Sequence, residues 1–364
     1  MQLYINGKYL TQPTAGVQRY AFELTKCLID KINTVRILVP KNFNTRSTQI
    51  PAKYFIKTGN YPNLNLWEQV HLPVFLNRQK GLLINFCNTA PLFIKNQVVC
   101  LHDVAFMKNP QWYSKSFYLY YRFLIPKIVK NSRHVITVSE FSKKEINNLF
   151  ALPDEKISVV YNAPAQKFIC PSVDALEFEK EDFYLFVGSF DPRKNLGTLL
   201  KAFASPQLQN VKLIVVGKKW DTFNYNDMVI TPNVTMLNDC NDELLSYLYK
   251  RAKALINCSL YEGFGLPLIE AMASGCPLLL SDIPVFREIA GEHAVYFSPM
   301  DENSIIEAVI LIENQDIDIT NYIITYNYRD SFKFSWQKSA RQLQLVINTL
   351  TPLGAKQLEL SSPL

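Results

Sequence analysis

A rhythm in the chain constrains its fold more than any other feature. Short β-branched or apolar runs alternate with longer amphipathic segments through most of the 364 residues. In the first half the runs are QLYIN (2–6), VRILVP (35–40), GLLINF (81–86), QVVCLH (97–102) and HVITVS (134–139). Between the first two lies GVQRYAFELTKCLIDKI (16–32), where Val17, Tyr20, Ala21, Leu24 and Leu28 recur at helical spacing. Strands alternating with helices imply βαβ units and a mostly parallel sheet. The second half repeats the pattern with DFYLFVGSF (182–190), VKLIVVGK (211–218), ALINCS (254–259), CPLLLSD (276–282) and AVYFSP (294–299). Helices are expected at LGTLLKAFA (196–204) and NDELLSYLYKRAK (241–253), the latter with Asn241 as N-cap and acids in its first turn.

A chain of this length exceeds one ordinary core and divides into two domains. The stretch YNAPAQKFICPSVDALEFEKED (161–182) carries two prolines, a cluster of acids and no clean period, which puts the boundary near 162–180. The segment KFSWQKSARQLQLVINTL (333–350) is an amphipathic helix, and GAKQLELSSPL after it reads as a loose tail. The expected architecture is α/β, two Rossmann-like domains facing each other across a cleft, spanning 1–165 with 333–364 and 166–332. In such sheets ligands settle at the carboxyl ends of the strands.

Composition removes several function classes. Hydrophobic content of 48% and charged content of 19% describe a globular chain. Seven cysteines and four histidines form no CxxC, HExxH or other metal spacing, so reduced thiols and no metal site are expected. The N-terminus lacks a signal-peptide h-region and no apolar run is long enough to span a membrane, so the expected setting is cytoplasmic. A net charge of +6 suits phosphates or an anionic surface but is too diffuse to indicate nucleic acid. An aromatic content of 13% hints at sugar-stacking or interfacial surfaces, although core packing explains most of it.

The strand ends carry the chemistry. Gly16 opens a helix whose free amides suit an anion, with a plain N-cap as the alternative. His102 and Asp103 follow QVVCL; a histidine there can donate to a hydroxyl or phosphate, or simply bond a neighbouring loop. Arg193 and Lys194 stand on the turn after YLFVG and before a helix. A planar fork beside a point charge can neutralise a diphosphate, although exposed basic turns are common. The sharpest stretch is SLYEGFGLPLIEAMASGCPLLLSD (259–282). Pro267 and Gly275 bound a helix over roughly 267–274, leaving Glu262 in the loop before it and Glu270 inside it. The glycines of GFG let backbone approach a ligand closely. Two carboxylates so placed, with no cation inside the stretch, suit a polyhydroxylated ligand.

Together EGFGLPLIE, with its acids eight apart, FVGSFDPRKNLGTLLKAF, HDVAF…VITVSEFSKKEI and the terminal FSW resemble the family 4 glycosyltransferases. The N-terminal half looks closest to mannosyl- and rhamnosyltransferase-like members. The resemblance implies a GT-B fold and a retaining, metal-independent enzyme with no cofactor. It would move a hexose or deoxyhexose from a GDP-, UDP- or dTDP-sugar to a glycan acceptor, lipid-linked, in bacterial surface polysaccharide or lipopolysaccharide synthesis. It further implies that Arg193 and Lys194 hold the donor diphosphate, Glu270 the ribose, and Glu262 with the backbone of Phe264, Gly265 and Leu266 the sugar hydroxyls and distal phosphate. Gly16 would add an amide and His102 would lie near the anomeric side. On this reading Glu262 faces hydroxyls while the two cations are reserved for phosphates. One departure is Ala15 before Gly16, where the family often has paired glycines; Ala15 is expected to narrow that loop.

An oxocarbenium-like transition state would be stabilised through the charge on the leaving phosphate. Front-side attack needs no enzymic nucleophile, and Glu262 is not read as one. Acceptor binding falls to the N-terminal domain. There KSFYLYYRFLIPKIVKNSR (115–133) reads as a core helix with a basic outer face, or else as a helix lying on an anionic membrane surface. Competing functions are a sugar-nucleotide epimerase, a phosphorylase, or a non-catalytic nucleotide-sugar-binding subunit.

Overall fold

The computed structural model describes residues 2–59, 63–176, 179–218 and 230–350. The expected tail lies outside the described residues, as does part of the expected linker. The chain divides into two compact units. One comprises Met1–Val104, Leu119–Asn162 and Trp336–Leu364, the other Ala105–Tyr118 and Ala163–Ser335.

The first unit is built on β1 (Gln2–Asn6), α1 (Gly16–Lys31), β2 (Val35–Val39), β3 (Phe55–Lys57), β4 (Gly81–Asn85), β5 (Gln97–Cys100), α2 (Lys115–Asn131), β6 (His134–Thr137), α3 (Glu140–Phe150) and β7 (Ile157–Val159). Its sheet runs β3-β2-β1-β4-β5-β6-β7, parallel throughout, with Leu3 paired to both Val35 and Leu82. Strands buried on both faces need near-continuous apolar sequence, which is what the runs in this half supply. The chain steps one way from β1 to β3 and the other way from β4 onward. Right-handed crossovers therefore place α1 on one face, and the 64–76 segment, α2 and α3 on the opposite face. Residues 64–76 are helical, with a π turn at Trp67–His71 just before Pro73, whose missing N–H cannot continue the regular ladder.

The second unit contains β8 (Glu181–Val187), α4 (Leu196–Phe203), β9 (Leu213–Val216), β10 (Val234–Leu237), α5 (Asp242–Arg251), β11 (Ala252–Asn257), α6 (Leu266–Ala273), β12 (Leu278–Ser281), α7 (Pro284–Ala290), β13 (Val295–Phe297), α8 (Glu302–Glu313) and α9 (Ile317–Ser331). Its sheet order is β10-β9-β8-β11-β12-β13, again all parallel. Tyr184, Phe186, Leu199, Phe203, Leu279 and Val309 form its core, and burying a ring such as Phe203 contributes about 2 kcal/mol. Asn241 caps α5 by accepting from the Leu244 amide at 2.8 Å. Lys180 Nζ closes off two helix ends, donating to Lys250 O and Gly275 O, each at 2.7 Å. The final helix α10 (Trp336–Thr349) packs on α1, where Trp336 meets the edge of Tyr20 at 6.0 Å. Ser339 Oγ donates to Tyr161 O at 2.7 Å beside it. All seven cysteines are free thiols. No described helix is long and apolar enough to cross a membrane.

Candidate functional site

In the second sheet the chain moves outward from β8 to β10 and then returns to lay β11 on the other flank of β8. Loops after β8 and β11 thus leave in opposite directions, the arrangement that opens a ligand crevice at the carboxyl ends of strands. The loop after β8 closes in a one-turn 3-10 helix, Pro192–Lys194, and Asn195 follows in the left-handed region at φ 54°. The loop after β11 is tied to it by Leu260 N donating to Arg193 O at 2.8 Å and by Cys258 Sγ approaching Lys194 O at 3.2 Å.

This knitting brings together residues 68 positions apart. Lys194 Nζ makes an ion pair with Glu262 Oε1, and Arg193 Nη1 reaches Glu262 Oε2 at 3.4 Å. Arg193 Nε also faces Asp191 Oδ1 at 3.4 Å, while Asp191 Oδ2 accepts from Ser189 Oγ. The Ser259 hydroxyl lies within reach of both Glu262 Oε1 (3.1 Å) and Asn257 Oδ1 (2.7 Å). Glu262, Lys194 and Asp191 are buried; Arg193 is the most open of the four. Burial alone would push the Glu262 carboxyl up. The charges of Lys194 and Arg193, with hydrogen bonds from Lys194 and Ser259, outweigh it and hold the carboxyl below the usual carboxylate range.

The two cations that the resemblance gives to phosphates, and the carboxylate that it gives to hydroxyls, meet one another in the chain itself: both cations lie on Glu262. A buried carboxylate without a cation would cost several kcal/mol, and the two loops supply what the 259–282 stretch lacks. Glu270 stands apart from this cluster. It is buried inside α6 and accepts from Tyr249 Oη at 3.1 Å.

Local backbone explains the rest of the loop. The helix begins at Leu266, one residue before the expected start, so Pro267 is its second residue. Gly265, at φ 98°, is the residue before α6, and no side chain caps that helix end. Phe264 turns its ring inward against Phe334, with centroids 5.6 Å apart. Gly275 follows the helix at φ 70°, as the sequence suggested.

The first unit holds Gly16 and His102. Gly16 is the first residue of α1, again without a side-chain cap. Ala15 before it is extended (φ −133°, ψ −175°), a conformation any residue adopts, so alanine there imposes no backbone strain. Tyr20, one turn into α1, meets the His102 ring edge-on at 5.0 Å and donates to Val160 O at 3.0 Å. His102 is buried, and burial lowers its pKa although the Phe86 carbonyl and Asp103 oppose this. Its Nε2 lies 2.7 Å from Phe86 O, and a carbonyl can only accept, so Nε2 carries the hydrogen. The donor role expected of the ring is thereby spent on its own chain. Nδ1 is then the acceptor nitrogen of the neutral ring.

Several residues escape sequence reasoning. Asp191 and Ser259 carry a weak signal, as polar residues two or three positions from Arg193 and Glu262. Tyr249 carries none, being one apolar position of a helix. Gly217, at the end of β9, is required because a Cβ there would lie 1.8 Å from Gly188 O. Among the described residues no group of three or more His, Cys, Asp or Glu side chains could hold a metal ion.

Comparison with known proteins supplies the family. The family described as glycosyl transferases group 1 matches residues 143–330, and glycosyltransferase family 4 matches 14–163. The chain is 36% identical over 262 residues to the O-antigen chain mannosyltransferase RfbU of Salmonella typhimurium, covering 68% of this chain and 70% of that one. It is 24% identical over 374 residues to O-antigen chain mannosyltransferase B of Escherichia coli, covering 94% and 98%. Among solved structures, sucrose-phosphate synthase of Thermosynechococcus elongatus superposes with a TM-score of 0.73 at 18% identity, over 96% of this chain and 99% of that one. Two parallel α/β units, the switch-point cluster and these matches lead to one assignment: the chain is a glycosyltransferase of family 4 with the GT-B fold.

Proposed function

We propose that this enzyme transfers a hexose or deoxyhexose, mannose foremost, from a nucleotide sugar to a glycan acceptor in bacterial surface polysaccharide synthesis, with retention of configuration. The sugar and the pathway rest on the relatives, which are named O-antigen chain mannosyltransferases. The observation that carries the donor reading is the Lys194 ammonium. It is buried at the switch point and its one described partner is Glu262, so two of its three hydrogens are available to a phosphate.

In this reading Lys194 and Arg193 receive the diphosphate and stabilise charge as it leaves, the contribution expected to dominate. Glu262, held ionised, keeps both cations in place and offers its remaining lone pairs to sugar hydroxyls. Glu270, beside Tyr249, takes the ribose hydroxyls. The uncapped start of α6, with Gly265 and Leu266, and Gly16 at the start of α1 supply amides to phosphate and sugar. The His102 Nδ1 accepts from a sugar hydroxyl. As the bond from the anomeric carbon to the phosphate oxygen breaks, the bond from the acceptor oxygen forms on the same face. The acceptor proton passes to the departing phosphate. No enzymic nucleophile and no metal takes part, and the acceptor is lipid-linked and met at the cytoplasmic face of the inner membrane.

The test is a panel of GDP-, UDP- and dTDP-sugars offered to the purified chain in the presence of EDTA. One donor should bind and slowly release its nucleoside diphosphate. Silence across the whole panel would sink the proposal, and release that EDTA abolishes would overturn the metal-independent mechanism.

A further inference from the structure

The buried side of α5 is Leu245, Leu248 and Tyr249, at the i, i+3, i+4 spacing of an apolar helix face. Phenylalanine would fill the third position equally well. Tyrosine adds a hydroxyl where there is no solvent, which is a cost unless a partner accepts from it. That partner is Glu270 Oε2, 3.1 Å away on α6. An ionised carboxylate only accepts, so the hydrogen between them is the phenol's.

The ring that carries this hydroxyl is held in place. Phe168, itself fully buried, meets it edge-on, with centroids 5.7 Å apart and planes at 88°. The single turn that contains Phe168 (Gln166–Phe168) is tied to the far end of α6. Ser274 Oγ donates to Phe168 O at 2.8 Å, and Cys170 N donates to Ala273 O at 3.0 Å. Phenol, edge clamp and carboxylate are thus referenced to one helix. Glu270 is one turn into α6, and helical side chains lean toward the N-terminus, so its carboxylate covers the turn that begins at the uncapped Leu266. The last torsion of a glutamate is broad and roughly two-fold. A donor fixed on one oxygen sets the plane of such a group. Unlike the cations on Glu262, a neutral phenol does so without cancelling the charge that hydroxyl donors seek.

We propose that Tyr249 is a positioning residue for ribose recognition: its hydroxyl orients the Glu270 carboxylate toward the ribose hydroxyls of the donor. The inference rests on the Glu270–ribose contact of the proposed function, and the test keeps the two apart. GDP, UDP and their 2′-deoxy counterparts are titrated into the full chain by calorimetry, as the parent, Tyr249→Phe, Glu270→Gln and the double variant. The parent should prefer the ribonucleotide of its cognate donor by about tenfold. Tyr249→Phe keeps the ring against Phe168, so it should weaken that ribonucleotide by about fivefold while leaving the deoxynucleotide nearly unchanged. Added to Glu270→Gln it should cost nothing further, because the two act as one unit. Phe168→Leu, which loosens the ring and keeps the hydroxyl, should shift the preference the same way by a smaller factor. In turnover the loss should fall on the donor KM, with kcat held at saturating donor, since the ribose is remote from the bond that breaks. Equal weakening of both nucleotides would make Tyr249 merely structural and overturn the inference. So would a parental preference retained in Tyr249→Phe, or a fall in kcat with KM unchanged. A parent that binds both nucleotides alike would remove the ribose role of Glu270 itself, and the inference with it.

Discussion

Both sheets reverse direction once, between β1 and β4 in the first unit and between β8 and β11 in the second, and both reversals hold a buried lysine–glutamate pair. In the first, Lys8 Nζ donates to Asn65 Oδ1 (2.7 Å), Glu68 Oε2 (3.0 Å) and Thr89 Oγ1 (3.3 Å), which uses all three hydrogens. Glu68 Oε1 in turn accepts from Asn6 Nδ2 at 2.8 Å and Thr89 Oγ1 at 3.1 Å. In the second, Lys194 Nζ has one described partner, and that partner is shared with Arg193 and Ser259. The same pair of residue types at the same topological position therefore does two jobs. A saturated ammonium locks the turn after β1 and the loop after β4 to the 64–76 segment. An unsaturated one, at Lys194, has two hydrogens with no described partner, which the proposed function gives to the donor phosphate.

Substitution separates the two pairs. The largest effect belongs to Lys194→Ala, which should lower turnover of the cognate donor by about a hundred- to a thousandfold, as loss of one charge-stabilising donor does, read in steady-state rates. Arg193 remains beside Glu262 in that variant, so its unfolding midpoint should move far less than its rate. The reverse is expected of Lys8→Met. It leaves Glu68 buried without its cation and should cost about 3 kcal/mol in denaturant unfolding, with turnover intact wherever the protein stays folded. If Lys8→Met abolished turnover without loss of stability, the contrast between lock and site would be broken.

The smallest effect is on acid stability. Glu262 has a folded pKa below its ordinary value of 4.5, so its contribution is present above that value. The contribution is lost as pH falls through the lower folded value. Glu262→Gln should therefore lose less stability than the parent on acidification below 4.5, measured by urea unfolding at stepped pH. Parallel acid limbs for the two proteins would refute the assignment of that charge.

Much of this was legible in the residues. Runs buried on both faces, such as VVC before His102 or LIVV before Gly217, admit few readings other than central parallel strands. The edges of the first sheet were not legible, because β3 and β7 are three residues long and half-buried, which leaves no period to detect. Helices α8 and α9 were missed as well, and α9 (IDITNYIITYNYRDS) mixes tyrosines and asparagines in place of a clean apolar stripe. At the site, Arg193, Lys194, Glu262 and Glu270 stood out by position and type. Their pairing did not, since it depends on two loops 68 residues apart folding onto each other. The lock at Lys8 was invisible for the same reason: Lys8 and Glu68 lie 60 positions apart, and neither has a local signal.

The contrast between the two lysines is tested most directly by calorimetric titration of GDP and UDP into three proteins: the parent, Lys194→Ala and Lys8→Met. The parent should bind the nucleotide of its cognate donor. Lys194→Ala should bind it at least about tenfold more weakly, as loss of a charge-assisted hydrogen bond implies, and Lys8→Met should bind it as the parent does. Equal affinity in the parent and Lys194→Ala, or a loss confined to Lys8→Met, would contradict the account.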